Sequence, residues 1–266
     1  YWKAHIENSS LMQINNLTGI NSLLIIGAGN LIDCPIKKLL NLVRKITLLD
    51  LDPACRSLWA KYGFSRTSAY RSYLITDITN CLFSWSIKFE KEVSLYRREK
   101  ALKKAEELLF SFCQKEIAVP LFNKFEAVVS LNILSQLFIY FSEKALSTLL
   151  KCKVLEQSIY NSEVIRYLDI ISKKIENHHL KTCFSLAKKK VIIISDKLFI
   201  YYQAENPLWE EVEAVRWDFK TAAKKGWRLK ECSSWYWNIV PLNTEIEGGG
   251  RVNLVKGSVF EKETYN

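Results

Sequence analysis

The sequence predicts an α/β protein: a mostly parallel sheet of seven strands, helices on both of its faces, and an antiparallel hairpin at its C-terminal end. Three observations carry this. Short apolar runs at residues 22–26, 46–49 and 73–76 end at Gly27, Asp50 and Asp77, and each gives way to a helix or its start. Two more runs, 125–130 and 191–194, follow stretches of helical periodicity. Residues 234–240 and 251–260 then flank the turn-forming stretch 241–250, which holds three successive glycines, as the arms of a hairpin would. Continuous apolar runs without alternation suit strands buried on both faces.

Element by element, residues 1–20 read as an N-terminal helical extension. Pro35 sits where a first helical turn tolerates it, and Ile36, Leu39, Leu40 and Val43 form the stripe of the first crossover helix. Pro53 and Ala54 open a short helix through Trp59. Residues 78–122 read as a helical insertion, striped by Leu102, Ala105, Leu108, Leu109 and Phe112, since about 40 residues exceed a plain crossover. A helix over 135–150 follows. A longer one begins at Ser162 and Glu163, striped by Val164, Leu168, Ile171 and Ile175, and feeds the fifth strand, which ends at Asp196. Residues 208–229 read as helix with a loop. The whole, residues 1–266, is taken as one domain.

With 48% hydrophobic and 25% charged residues the chain can bury a core, which excludes disordered and fibrous classes, while only 9 Gly and 5 Pro argue against a turn-dense all-β protein. The net charge is +10. Of the 38 Lys and Arg, 28 lie in residues 1–190 against 17 of the 28 acidic residues, with no basic arm. This reads first as solvated lysines on helix faces, and it does not identify a nucleic acid or anionic ligand. The best apolar stretch, 127–141, is broken by Ser130, Asn132, Ser135 and Gln136 and is shorter than the ~20 residues of a membrane span, so no membrane partner is expected. Seven scattered cysteines without a Cys-x-x-Cys predict small buried hydrophobes in a reducing, cytoplasmic setting and no metal site.

The chemistry collects at strand ends. Gly27 and Gly29, where the first strand enters the first helix, let a ligand approach the backbone closely. Asp50 closes the second strand 23 residues after Gly27. A carboxylate there can accept from both hydroxyls of a ribose, because parallel neighbours bring their carboxyl ends together. Asp77 stands on the same rim, where a side chain commonly meets an adenine amine. An adenosine-containing cofactor is the expectation. A dinucleotide fingerprint wants a third glycine, and Ile32 holds that position.

The stretch Gly27-Ala28-Gly29-Asn30 resembles motif I of class I S-adenosylmethionine-dependent methyltransferases, whose Rossmann-like fold is a seven-stranded sheet ending in an antiparallel hairpin. The resemblance covers residues 22–260. More narrowly, residues 27–35 with 48–52, 130–137 and 235–237 are similar to segments of a bacterial group of methyltransferase-like proteins. The resemblance implies S-adenosylmethionine as cofactor, with its methionine part near Gly27, Ala28, Gly29 and Asn30. Asp50, Leu51 and Asp52 would meet the ribose, Asp77 and Ile78 would flank the adenine, and Asn132 would stand near the transferred methyl. Two departures stand out. Leu31 replaces the third motif I glycine, and Asn132-Ile-Leu-Ser135 lacks the prolines of many amino-group methyltransferases. The acceptor stays open between a small molecule, RNA and protein. A non-catalytic cofactor- or partner-binding module and an NAD-dependent oxidoreductase are the alternatives.

Other residues read as structure. Asn132 suits a substrate-side role and a strand-end turn equally. His178 and His179, about 100° apart on a helix, are expected as one exposed and one packed residue. His5 shows no nearby Ser or Asp pattern of a triad. Trp209, Trp217, Trp227, Trp235 and Trp237 fit core and hairpin packing better than stacking on a substrate. Arg97, Arg98, Lys100, Lys103 and Lys104 read as a solvated helix face. No catalytic residue is assigned.

Overall fold

A computed structural model describes residues 2–118, 123–204, 210–215 and 226–263. The chain divides into two compact units, one of residues 1–78, 122–135 and 183–266, the other of residues 79–121 and 136–182.

The first unit holds the sheet. Its strands are β1 (Ser22–Ile26), β2 (Lys45–Asp50), β3 (Arg71–Ile75), β4 (Phe125–Leu131), β5 (Ala187–Gln203), β6 (Glu210–Glu213), β7 (Trp227–Val240) and β8 (Gly249–Lys262). The order is β3-β2-β1-β4-β5-β8-β7, with β6 paired to β5. The first five strands are mutually parallel, and the pairs β5–β6, β5–β8 and β7–β8 are antiparallel. This is the expected α/β sheet with a C-terminal hairpin. Apolar residues occupy both faces of the central strands: Leu23 and Ile25 on one, Leu24 and Ile26 on the other, all fully buried. The face carrying Leu23, Ile25, Leu48, Val129, Ile192 and Val255 packs with residues of α1 (Lys3–Leu17), α2 (Ile36–Leu42) and α3 (Arg56–Lys61).

Three sequence expectations change here. Among the described residues the sheet has eight strands rather than seven. Of the segment 208–229, which reads as helix with a loop, residues 210–213 instead pair with β5 and residues 227–229 open β7, where β-partners outweigh the local mixture of charged and aromatic residues; residues 208, 209 and 216–225 lie outside the described residues. The fifth strand does not stop at Asp196: after a register shift at 196/198 it continues beside β8 to Gln203. The polar pair Asp196-Lys197 looks like a strand end because a bulge sits there.

The second unit is helical: α4 (Leu82–Val93), α5 (Arg98–Gln114), α6 (Ile139–Lys151), α7 (Glu156–Tyr160) and most of α8 (Glu163–Leu186). The insertion's stripe, Ala105, Leu108, Leu109 and Phe112, is buried in its core with Phe89, Phe141 and Leu149. Both His178 and His179 are buried, against the expectation that one is exposed. The second half of α8 is covered around most of its circumference, and a single-stripe reading fails there. Burial lowers the His179 imidazole to about 3. Five cysteines are buried and none is in a disulfide, but Cys232 is exposed and Cys113 half-buried, so the all-buried expectation does not hold for these two. Among the described residues no helix is long and apolar enough to cross a membrane.

Candidate functional site

The strand order reverses between β1 and β4, and in open α/β sheets the crevice at such a point receives ligands. The β1–α2 turn lies there. Gly27 takes φ +75° and Gly29 φ +42°, left-handed conformations that glycine adopts at no steric cost. Gly27 serves packing: a Cβ there would lie 2.5 Å from the Leu131 carbonyl oxygen and 2.8 Å from Ile133 Cβ. At Gly29 a Cβ would meet nothing closer than 3.9 Å. Of the two, then, only Gly29 leaves room for a methyl group, in ordinary van der Waals contact with its neighbours. Leu31, the departure from the motif, has φ +57°. The backbone keeps the left-handed bend that a third glycine would supply, at a cost of about 1 kcal/mol. Burying the leucine side chain in the sheet-side core offsets it.

Asp50 holds this turn. Its Oδ2 accepts from the Gly29 N–H at 2.8 Å and its Oδ1 from the Asp52 N–H at 3.1 Å. The fully buried Trp59 indole donates to the Gly29 carbonyl at 2.9 Å, so the turn is fixed from two sides. Asp52 accepts from the Ala54 N–H at 2.8 Å. Leu51 is exposed between the two carboxylates. Cys55, whose thiol contacts Asn30 Oδ1 and Asp52 Oδ2, is raised to about 11 by burial and by Asp50 and Asp52, so it stays a neutral thiol in an acidic corner. The structure thus brings Gly27, Ala28, Gly29, Asn30, Asp50, Leu51 and Asp52 around one turn. Asp77 and Ile78 follow β3, next to β2 on the same rim; the Thr76 N–H donates to the Asp50 carbonyl at 2.9 Å.

Asn132 follows β4, on the other side of β1. Its φ of +47° makes it a strand-end turn former, and its side chain is also part of a buried network. The Asn132 carboxamide Nδ2 donates to Asp33 Oδ2 and lies 3.0 Å from His5 Nε2. His5 Nε2 is 3.5 Å from the same Asp33 oxygen. The Trp235 indole donates to His5 Nδ1 at 3.1 Å, and the imidazole stacks on Trp237 with ring centres 4.0 Å apart. An indole N–H only donates, so His5 Nδ1 is the acceptor of that bond. His5 is the residue that sequence reasoning misses. It stands on α1, 127 positions from Asn132. Trp227, Trp235 and Trp237 are packed as expected, the last two in contact with His5; Trp209 and Trp217 lie outside the described residues.

Beyond Asn132, Ser135 Oγ donates to Asp196 Oδ2 at 2.9 Å, and the Asn253 carboxamide faces the same carboxylate. Burial pushes the Asp196 carboxyl above its ordinary range, against the lowering effect of Ser135, Asn253, His5 and Arg251. A carboxyl raised on folding binds its proton more tightly in the native state. The stability it contributes is therefore full below pH 3.8 and falls as pH rises through the folded value. Asp196→Asn is expected to raise the melting temperature at pH 7 and leave it unchanged near pH 3. Thermal melts at the two pH values check this, and an equal shift at both would contradict it.

No protein-family model matches this chain, nor does any curated protein. Among solved structures it is similar to a putative methyltransferase from Bacillus halodurans, at 11% identity and TM-score 0.49, covering 98% of this chain and all of the other. A putative RNA methyltransferase from Pyrococcus horikoshii matches at 11% and 0.46, over 96% and 80% of the two chains. An N-methyltransferase from Bradyrhizobium japonicum, in complex with S-adenosyl-L-homocysteine, matches at 10% and 0.43, over 98% and 87%. Likeness at this level identifies neither reaction nor substrate.

Proposed function

We propose that this chain is an S-adenosylmethionine-dependent methyltransferase. The observation that supports it most is the Asp50–Gly29 contact at the reversal of strand order, in a sheet whose last two strands form an antiparallel pair beyond β5. The residues present fit the nucleoside. A carboxylate can accept about four hydrogen bonds, and the backbone takes one on each Asp50 oxygen, which leaves a lone pair on each for the two hydroxyls of a ribose. The exposed Leu51 offers apolar surface beside them, and Asp77 and Ile78 would flank the base. Gly27, Ala28, Gly29 and Asn30 would hold the methionine part, on the side of the turn toward Asn132.

When bound, the cofactor supplies an already activated methyl group. What remains for the protein is to bind, to align acceptor and methyl in line, and to exclude water. A general base is needed only if the acceptor loses a proton as it attacks. The chain's part in the reaction is therefore positioning, with Asn132 on the methyl side and Asp50 on the ribose side. Calorimetric titration with S-adenosylmethionine, S-adenosylhomocysteine and NAD tests the reading. The first two are expected to bind and NAD is not. Binding of NAD alone would favour an oxidoreductase, and binding of none of the three a non-catalytic module.

A further inference from the structure

The sheet face toward α1 changes character at its carboxyl edge. Along β5, Ile192, Ile194 and Asp196 share this face, and along β8 Val255 and Asn253 share it, because side chains alternate with period two. An apolar core thus ends in a carboxylate and a carboxamide, 4% and 1% exposed. Both carry an oxygen without a hydrogen-bond donor: Asp196 Oδ1 and Asn253 Oδ1. Asn132 Oδ1 also lacks one, on an amide whose Nδ2 is held by Asp33 Oδ2. Two orphaned donors accompany them: the Trp237 indole N–H, on the residue that pairs with Asn253, and Arg251 Nε, two residues from Asn253 along β8. Buried polar atoms in native proteins are almost always paired, and a buried oxygen left without a donor destabilises the fold.

We infer that Asp196 and Asn253, held in place by Ser135 and standing next to Asn132, form the acceptor-binding subsite, and that the acceptor presents an amino group with a neighbouring oxygen. The amino N–H groups donate to Asp196 Oδ1 and Asn253 Oδ1, and the neighbouring oxygen accepts from Trp237 Nε1. This rests on the methyltransferase reading for the word acceptor; the preference for an amine rests on the orphaned atoms alone. Two acceptor oxygens, one of them on a carboxylate, select a nitrogen bearing at least two hydrogens over a hydroxyl or a quaternary nitrogen.

The test uses two probes that share a hydroxyethyl chain: 2-aminoethanol, which has N–H donors, and choline, which has none. Each is titrated calorimetrically into the full chain without cofactor, and S-adenosylhomocysteine is titrated separately. 2-Aminoethanol is expected to bind at least about tenfold more tightly than choline, the difference a charge-assisted hydrogen bond supplies. Asp196→Asn is expected to erase most of that preference while leaving S-adenosylhomocysteine affinity within about twofold, because the variant removes a charge outside the nucleoside side of the crevice. Equal binding of the two probes to the wild type overturns the inference without any variant. Unchanged preference in Asp196→Asn overturns it, as does loss of S-adenosylhomocysteine binding in that variant, since the carboxylate would then serve the cofactor. If the wild type fails to bind S-adenosylhomocysteine while 2-aminoethanol binds, the methyltransferase reading fails and a plain amine site is left.

Discussion

Replacing Asp50 with alanine is expected to weaken S-adenosylhomocysteine binding by about 10- to 100-fold, because hydrogen bonds to a charged group are worth about 1.5–3 kcal/mol each and every 1.4 kcal/mol is tenfold. The side chain serves twice. It offers lone pairs to the two ribose hydroxyls, and it pins the Gly29 N–H that sets the course of the glycine turn. Alanine removes both, so the loss should sit near the upper end. Asparagine at the same position keeps an oxygen for Gly29 but faces the ribose with an N–H donor, and its affinity should fall between wild type and alanine. Asp50 is part-buried at the sheet's edge, so folding should survive both changes, which a thermal melt verifies. Wild-type affinity in Asp50→Ala would remove the nucleoside from this crevice.

The second large effect is on stability. Gly27→Ala is expected to destabilise the fold by about 3 kcal/mol, from about 1–2 kcal/mol for a left-handed φ and a further 1–3 for overpacking, and to lower the melting temperature by roughly 6–12 °C. The atom in the way is the Leu131 backbone oxygen, which cannot rotate aside as a side chain could. Gly29→Ala meets no atom closer than 3.9 Å and carries only the conformational cost, about 1 kcal/mol. The two variants, melted side by side, separate a glycine required by β4 from one required by the turn. Equal melting temperatures would show that the β1–β4 approach tolerates a methyl group.

The two glycines illustrate what a sequence conveys about a site. Both read as places where a ligand nears the backbone, since a glycine's lack of a side chain is visible but its neighbour is not. The place of Asp50 beside the glycine turn was legible because it follows from a local event, the end of an apolar strand, combined with the rule that parallel strands align their carboxyl ends. Leu31 was not. As a sequence it is a departure, yet its backbone retains the glycine conformation, a compensation visible only as a dihedral angle together with burial. The α1 helix hides its role differently. Its buried face carries His5, Ser9, Gln13 and Asn16 beside Met12 and Leu17. A polar stripe gives no hydrophobic period, and its burial makes sense only once Ser9 and Gln13 are seen donating to the Asp33 carbonyl.

By itself, the sequence determined the parallel half of the sheet, the terminal hairpin and the cluster of Gly27, Gly29 and Asp50. Apolar runs, strand-end residues and turn formers act within a few positions of one another. Tertiary structure alone decided which neighbours those strands hold and where β5 ends. It also decided that His5, Asp33, Asn132 and Trp235 meet, and that Asp196 and Asn253 are buried with oxygens unmet. Those contacts join residues up to 230 positions apart, and the penalty for burying a polar atom depends on its surroundings, which no local pattern encodes.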